Sequence, residues 1–332
     1  MIWVTWRQFQ TQLWAAGGVL LVASVFMLIS GNQLHTAYAS ALATCPNGDC
    51  SAVSQLPGEY DLPFYLGTGL VLLAPALIGA FWGAPLIARE LEAGTHRLIW
   101  NQSITRTRWL VFKLLFVGLA AVATAGLLSL LVSWFAGPID RINNDRFIPM
   151  LFAARGIVPL GYAAFAVALG TCAGLLIRRS VPAMAATLAV FAAVQFLMSM
   201  VIRPHLESPV RNDVALTVAT LNSASMIGFT GQSANAPFVV ALSAPGAWTL
   251  SGAEPVKSAS GQTFTMADMP CAQATDDASH FDCLAKSDLH VAVAYQPANR
   301  YWDFQWYETA LFLALTAGLA GFTTWWLRRR LT

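Results

Sequence analysis

The chain has 332 residues, 56% of them hydrophobic and 11% charged, with a formal net charge of +2. Soluble domains carry about 25% charged residues, so this composition excludes an ordinary soluble fold and requires a second apolar phase, the bilayer. The near-neutral balance gives no reason to expect a nucleic-acid partner.

In chain order, six stretches reach the roughly 20 apolar residues a membrane helix needs. They are residues 13–31, 62–88, 109–137, 156–177, 181–202 and 306–327. The expected fold is therefore an all-α polytopic membrane protein of six transmembrane helices. Ala37-Tyr38-Ala39 resembles a signal cleavage site, but the first apolar stretch is longer than a signal core and is expected to remain as a helix. Pro63, Pro75 and Pro85 fall in the second stretch and predict a kink or a partial break there.

Arginine and lysine set the orientation, because cytoplasmic loops carry the excess. With the amino terminus inside, eleven basic residues fall on the cytoplasmic side and eight outside, and the inside segments are several-fold shorter. Both termini are expected in the cytoplasm. This places Cys45, Cys50, Cys271 and Cys283 outside, where disulfides persist, and leaves Cys172 in a span. Four cysteines allow three pairings; proximity in sequence favours Cys45–Cys50 and Cys271–Cys283.

Residues 204–303 are rich in Ser, Thr, Asp and Pro and read as a small extracytoplasmic domain between the fifth and sixth spans. Within it, Val291–Tyr295 reads as a strand. The preceding region, 1–203, holds five spans, and 304–332 holds the sixth span and a cytoplasmic tail.

The cytoplasmic segment 89–108 carries the sharpest local signals. Gly94 suits a helix carboxy-terminal cap, Thr95 can cap a following short helix, and Thr105 can cap the third span. Leu98, Ile99 and Trp100 are awkward in bare cytosol and suit a membrane surface or a partner protein.

Chemistry-bearing residues are scarce. No span has a central Asp, Glu or His; Glu308 lies near one end of the sixth span, and Arg155 and Arg203 sit at outer edges where long side chains can reach water. Gln195 is the most interior strongly polar side chain and is expected to bond to another helix. The sequence contains no Gly-x-x-x-x-Gly-Lys-Ser/Thr phosphate loop, no metal-ligand spacing and no nucleophile elbow. No catalytic residue, metal or cofactor is therefore expected in this chain, and energy for any transport must come from a partner.

Glu90-Leu91-Glu92-Ala93-Gly94-Thr95 resembles the Glu-x-Glu-x-Gly-Thr pattern between the second and third spans of ABC-2 type transport permeases. The run from Ala84 to Trp100 and the opening Met1-Ile2-Trp3-Val4-Thr5-Trp6-Arg7-Gln8 are similar to an actinobacterial branch of that family. The resemblance implies the membrane subunit of a bacterial exporter, in the cytoplasmic membrane, driven by a separate ABC ATPase that binds ATP and Mg. It implies that Glu90, Glu92, Gly94 and Thr95, with Arg97 beside them, couple to that ATPase. It also implies pairing with a second permease copy or a related chain. Pro75 and Gly79 of the second span and Gln195 and Ser199 of the fifth are the candidate pathway wall. Few charges in that wall suit a hydrophobic or amphiphilic cargo, such as a lipid or a drug-like compound in multidrug efflux. The competing reading is a membrane scaffold or sensor that binds an ATPase without transport.

Overall fold

A computed structural model describes residues 2–45, 51–94, 105–143, 146–243, 246–268 and 277–330. The chain divides into two compact units: Met1–Asn143 with Pro149–Leu206 and Trp302–Thr332, and Asn144–Ile148 with Glu207–Tyr301.

Among the described residues, six helical stretches are long and apolar enough to cross a membrane: Gly17–Thr44, Asp61–Glu92, Thr107–Asn143, Val158–Ile177, Ser180–His205 and Ala298–Arg329. They are called the first to sixth spans below. The first lies in one helix, Ile2–Thr44. A short helix, Ser51–Glu59, precedes the second.

The fourth span is the centre of the bundle. In its most apolar window 72% of residues are buried, against 17% in the fifth and sixth spans, which turn most of their surface outward. Glycines let it approach the second span closely. A Cβ on Gly79 would lie 2.7 Å from the Ala166 carbonyl oxygen, and one on Gly83 would lie 2.8 Å from that of Val167. On the facing helix, a Cβ on Gly170 would collide with Gly79 O, and one on Gly174 with Ala84 O. Small residues spaced four apart on both helices allow this backbone contact, as in membrane helix pairs generally.

The three prolines of the second span act differently from a simple break. Pro75 sits inside the helix Asp61–Ile78, and a π-helical turn at Gly79–Gly83 precedes Pro85. Helix Pro85–Glu92 then continues with proline at its first position, where no amide hydrogen is needed. A second π-helical turn, Met198–Ile202, lies near the end of the fifth span.

The second unit corrects the all-α expectation, because it is built on two antiparallel sheets. In the first, β7 (Leu289–Gln296) pairs with β1 (Val210–Ala215) and also with β4 (Trp248–Thr249) and β6 (Lys257–Ser258). In the second, β3 (Phe238–Ala241) lies between β2 (Met226–Phe229) and β5 (Glu254–Pro255). β7 contains the strand expected at Val291–Tyr295. Phe238, Val240, Val256, Phe264, Leu284 and Val291 are among the residues of the unit's core. Its segments are short and mixed in polarity, so the alternation that marks a strand is visible in the sequence only along β7.

Candidate functional site

At the end of the second span, Gly94 has φ +69°, and its amide donates to Leu91 O at 3.3 Å. Glycine enters this left-handed region without a Cβ penalty, so Gly94 terminates the helix as its sequence context predicts. Thr105 likewise accepts from the Arg108 amide at the start of the third span, at 3.4 Å. Thr95 and the short helix His96–Asn101 that it is expected to cap, Arg97 included, lie outside the described residues.

Two residues apart on a helix point to different sides, and the two acids of the motif reach two different spans. Glu90 turns inward, is 7% exposed, and accepts from Lys113 Nζ of the third span at 2.5 Å. Lys113 also lies 4.6 Å from the centre of the Trp109 ring. Glu92 turns outward. Its Oε2 accepts from the Ser180 amide at 3.2 Å and the Ser180 hydroxyl at 2.8 Å, at the first residue of the fifth span. A helix start has unsatisfied amides and a partial positive charge, and a carboxylate answers both. The second span thus supplies the cap of the fifth.

At the opposite end of the bundle, the expectation that Arg203 reaches water is overturned. Arg203 and Glu308 are both fully buried. Arg203 Nε and Nη2 donate to the two Glu308 oxygens at 2.7 and 2.9 Å, and Nη1 donates to the Pro149 carbonyl at 3.0 Å. The Tyr162 hydroxyl of the fourth span donates to Glu308, and the Phe152 ring lies 4.6 Å from the guanidinium carbon. Arg155 is also buried rather than extended to water; it pairs with Asp140 of the third span. The forked guanidinium matches a carboxylate in two bonds, which removes the need to reach solvent.

Gln305 of the sixth span adds a third link at this end. Its Oε1 accepts from the amides of Ile157 and Val158 at 3.0 and 3.1 Å, capping the fourth span. These bonds join residues 147 or more positions apart, which is why no local pattern reveals them.

The candidate pathway residues divide into two sets. Pro75 and Gly79 of the second span are buried, and Gly79 is occupied by the close contact with the fourth span. Gln195 and Ser199 are half-buried on the fifth span. The interhelical bond expected of Gln195 is not made by its Oε1, which is buried and has no hydrogen-bond partner among the described residues.

Cys45 directly follows the first helix and Cys283 lies in helix Asp277–Ala285. Their expected partners, Cys50 and Cys271, fall outside the described residues. Cys172 is a buried free thiol. No group of three metal-ligating side chains occurs among the described residues.

A family model described as ABC-2 membrane transporter related matches residues 17–203, more than half of the chain. The chain belongs to this ABC-2 family. The match runs from the first span to Arg203, so it contains the Glu90–Lys113 pair and the Glu92–Ser180 cap. Comparison with curated proteins and with solved structures gave no match. As an ABC-2 family member with six spanning helices, the chain is a multi-pass membrane protein of the transport permease type. ABC-2 permeases generally work with an ATPase subunit.

Proposed function

We propose that this permease is the membrane subunit of an ATP-driven bacterial exporter, with both termini in the cytoplasm and a separate ABC ATPase, carrying ATP and Mg, docked at the Glu90 end. The observation that carries this reading is the Glu92–Ser180 cap. A push on residues beyond Gly94 would move the end of the second span, and the cap would pass that displacement directly to the fifth span. Glu90, paired inside the bundle, would act as a strut to the third span, leaving Gly94, Thr95 and Arg97 to form the docking face.

The outward faces of the fifth and sixth spans suit a second permease copy or a related chain. The unmatched Gln195 oxygen suits a polar atom of either that partner or the cargo. Pro75, Gly79, Gln195 and Ser199 remain the proposed pathway wall, and a hydrophobic or amphiphilic compound the proposed cargo. The actinobacterial affiliation, the disulfides Cys45–Cys50 and Cys271–Cys283, and the extracytoplasmic placement of the second unit belong to this proposal.

The test is to co-express the chain with a candidate ABC ATPase subunit from the same source and measure ATP hydrolysis of the purified complex in lipid. Activity that is lost in Glu92→Arg and Gly94→Pro supports the exporter. Stable association without stimulated hydrolysis would favour a scaffold or sensor instead.

A further inference from the structure

We propose that the second unit holds a binding cleft for a neutral molecule with an apolar body and a hydroxyl or carbonyl group. A cavity of about 520 Å³ opens on one face of the β1–β7 pair, within the range of small-molecule sites. The strand register explains its chemistry. Asn212 and Val214 of β1 share a face with Val293 and Tyr295 of β7, because Asn212 is opposite Val293 and alternate side chains point the same way. Arg211 and Asp213 fall on the other face by the same alternation. Among the described residues, the cavity is therefore lined without a charged side chain.

Its walls divide into an apolar floor and a polar rim. Val214, Leu242 and Val293 supply the floor, and Leu242 and Val293 are also members of the unit's core. The Asn212 amide donates to the Tyr295 hydroxyl at 2.9 Å, which fixes that hydroxyl at the rim with its own hydrogen able to donate. An ion entering this cleft would lose hydration without a counter-charge, whereas a neutral chain bearing one polar group would satisfy both surfaces. The cleft is defined by the second unit alone and does not depend on the exporter reading.

The full chain in lipid nanodiscs would be photolabelled with a long-chain alcohol carrying a diazirine, and the labelled peptides mapped by mass spectrometry. The expected label falls on peptides containing residues 212–220 and 291–298 and is displaced by unlabelled alcohol. Ala219 is an exposed lining residue, so Ala219→Trp should fill the cleft without disturbing the core and lower this label roughly tenfold. Tyr295→Phe keeps the ring, and should weaken labelling by the alcohol more than by a matched alkane probe. Label confined to the spans, label in the cleft that Ala219→Trp leaves unchanged, or equal labelling by carboxylate and ammonium analogues would each overturn the assignment. Because no ATPase is present in this measurement, its failure is separate from failure of the exporter reading.

Discussion

Arg203 and Glu308, 105 residues apart in sequence, meet through two hydrogen bonds with neither side chain exposed. Removing one charge from such a pair strands the other in an apolar interior, at a cost of about 3–5 kcal/mol, whereas replacing both by apolar groups of similar volume can be neutral. Arg203→Met and Glu308→Leu should therefore each lower thermal stability sharply, and the double variant should recover much of the loss. Reaction of the buried Cys172 thiol with a maleimide dye during heating provides the readout. Equal destabilisation in the double and single variants would mean the pair is not what these groups contribute.

The sequence made the membrane architecture legible and left most of its interior hidden. Six apolar runs announce themselves because a helix in lipid must satisfy its own backbone. Gly94 and Thr105 are readable because capping is local. The Arg203–Glu308 pair is not legible in the sequence because position near a span end suggests access to water, while burial depends on packing against Tyr162 and Phe152 of other elements. The Glu92–Ser180 cap was invisible for the same reason: both residues are ordinary until the fold brings them together. Beyond the strand expected at Val291–Tyr295, the β-sheets of the second unit are not legible, because their short strands lack a sustained period.

Glu92→Gln keeps an acceptor oxygen but loses the negative charge at the fifth span's first turn, and Glu92→Ala loses both. The expected order of ATPase stimulation in the assembled complex is wild type, then Glu92→Gln, then Glu92→Ala. Ser180→Ala removes only the hydroxyl bond and should fall near Glu92→Gln. If all three variants matched wild type, force would not pass through this cap.

The contact of the second and fourth spans leaves no room for a methyl group at Gly170, where a new Cβ would meet backbone atoms of Gly79 and Ala84. Gly170→Ala should cost about 1–3 kcal/mol through overpacking. Gly118 of the third span has nothing within 4 Å of a new Cβ, so Gly118→Ala should leave stability unchanged or raise it. Thermal unfolding of the two variants side by side checks the contrast.

Among the described residues nothing lies within 4 Å of a Cβ added at Gly94, so its left-handed backbone conformation is what restricts substitution. Gly94→Ala should cost about 1 kcal/mol from the left-handed conformation, and Gly94→Asn less, because asparagine tolerates that region. Comparable losses in both variants, measured by chemical denaturation, would point to a steric cause instead.

In the second unit, Asp268 Oδ2 accepts from the amide and hydroxyl of Thr265 at 3.0 and 2.7 Å, and these bonds hold its carboxyl below the ordinary aspartate value. A lowered native pKa means that the stabilisation is present above the unfolded value and is lost as pH falls through the native one. Hydrogen exchange at the Thr265 amide should lose protection over that acidic window. Asp268→Asn should remove this pH dependence; a wild-type protection profile in the variant would refute the link.

The position of Glu308 and Gln305 so late in the chain has a consequence for biosynthesis. The fourth and fifth spans are made long before the helix that supplies the cap of the one and the counter-charge of the other. At about 5–20 residues per second, the ribosome needs roughly 5–20 s to add the 105 residues between Arg203 and Glu308. During that interval the nascent protein carries an arginine whose own counter-ion has not yet been translated. A chain truncated before the sixth span would leave that defect exposed to quality-control proteases, so the sixth span is what closes the charge left open by the first five inserted segments.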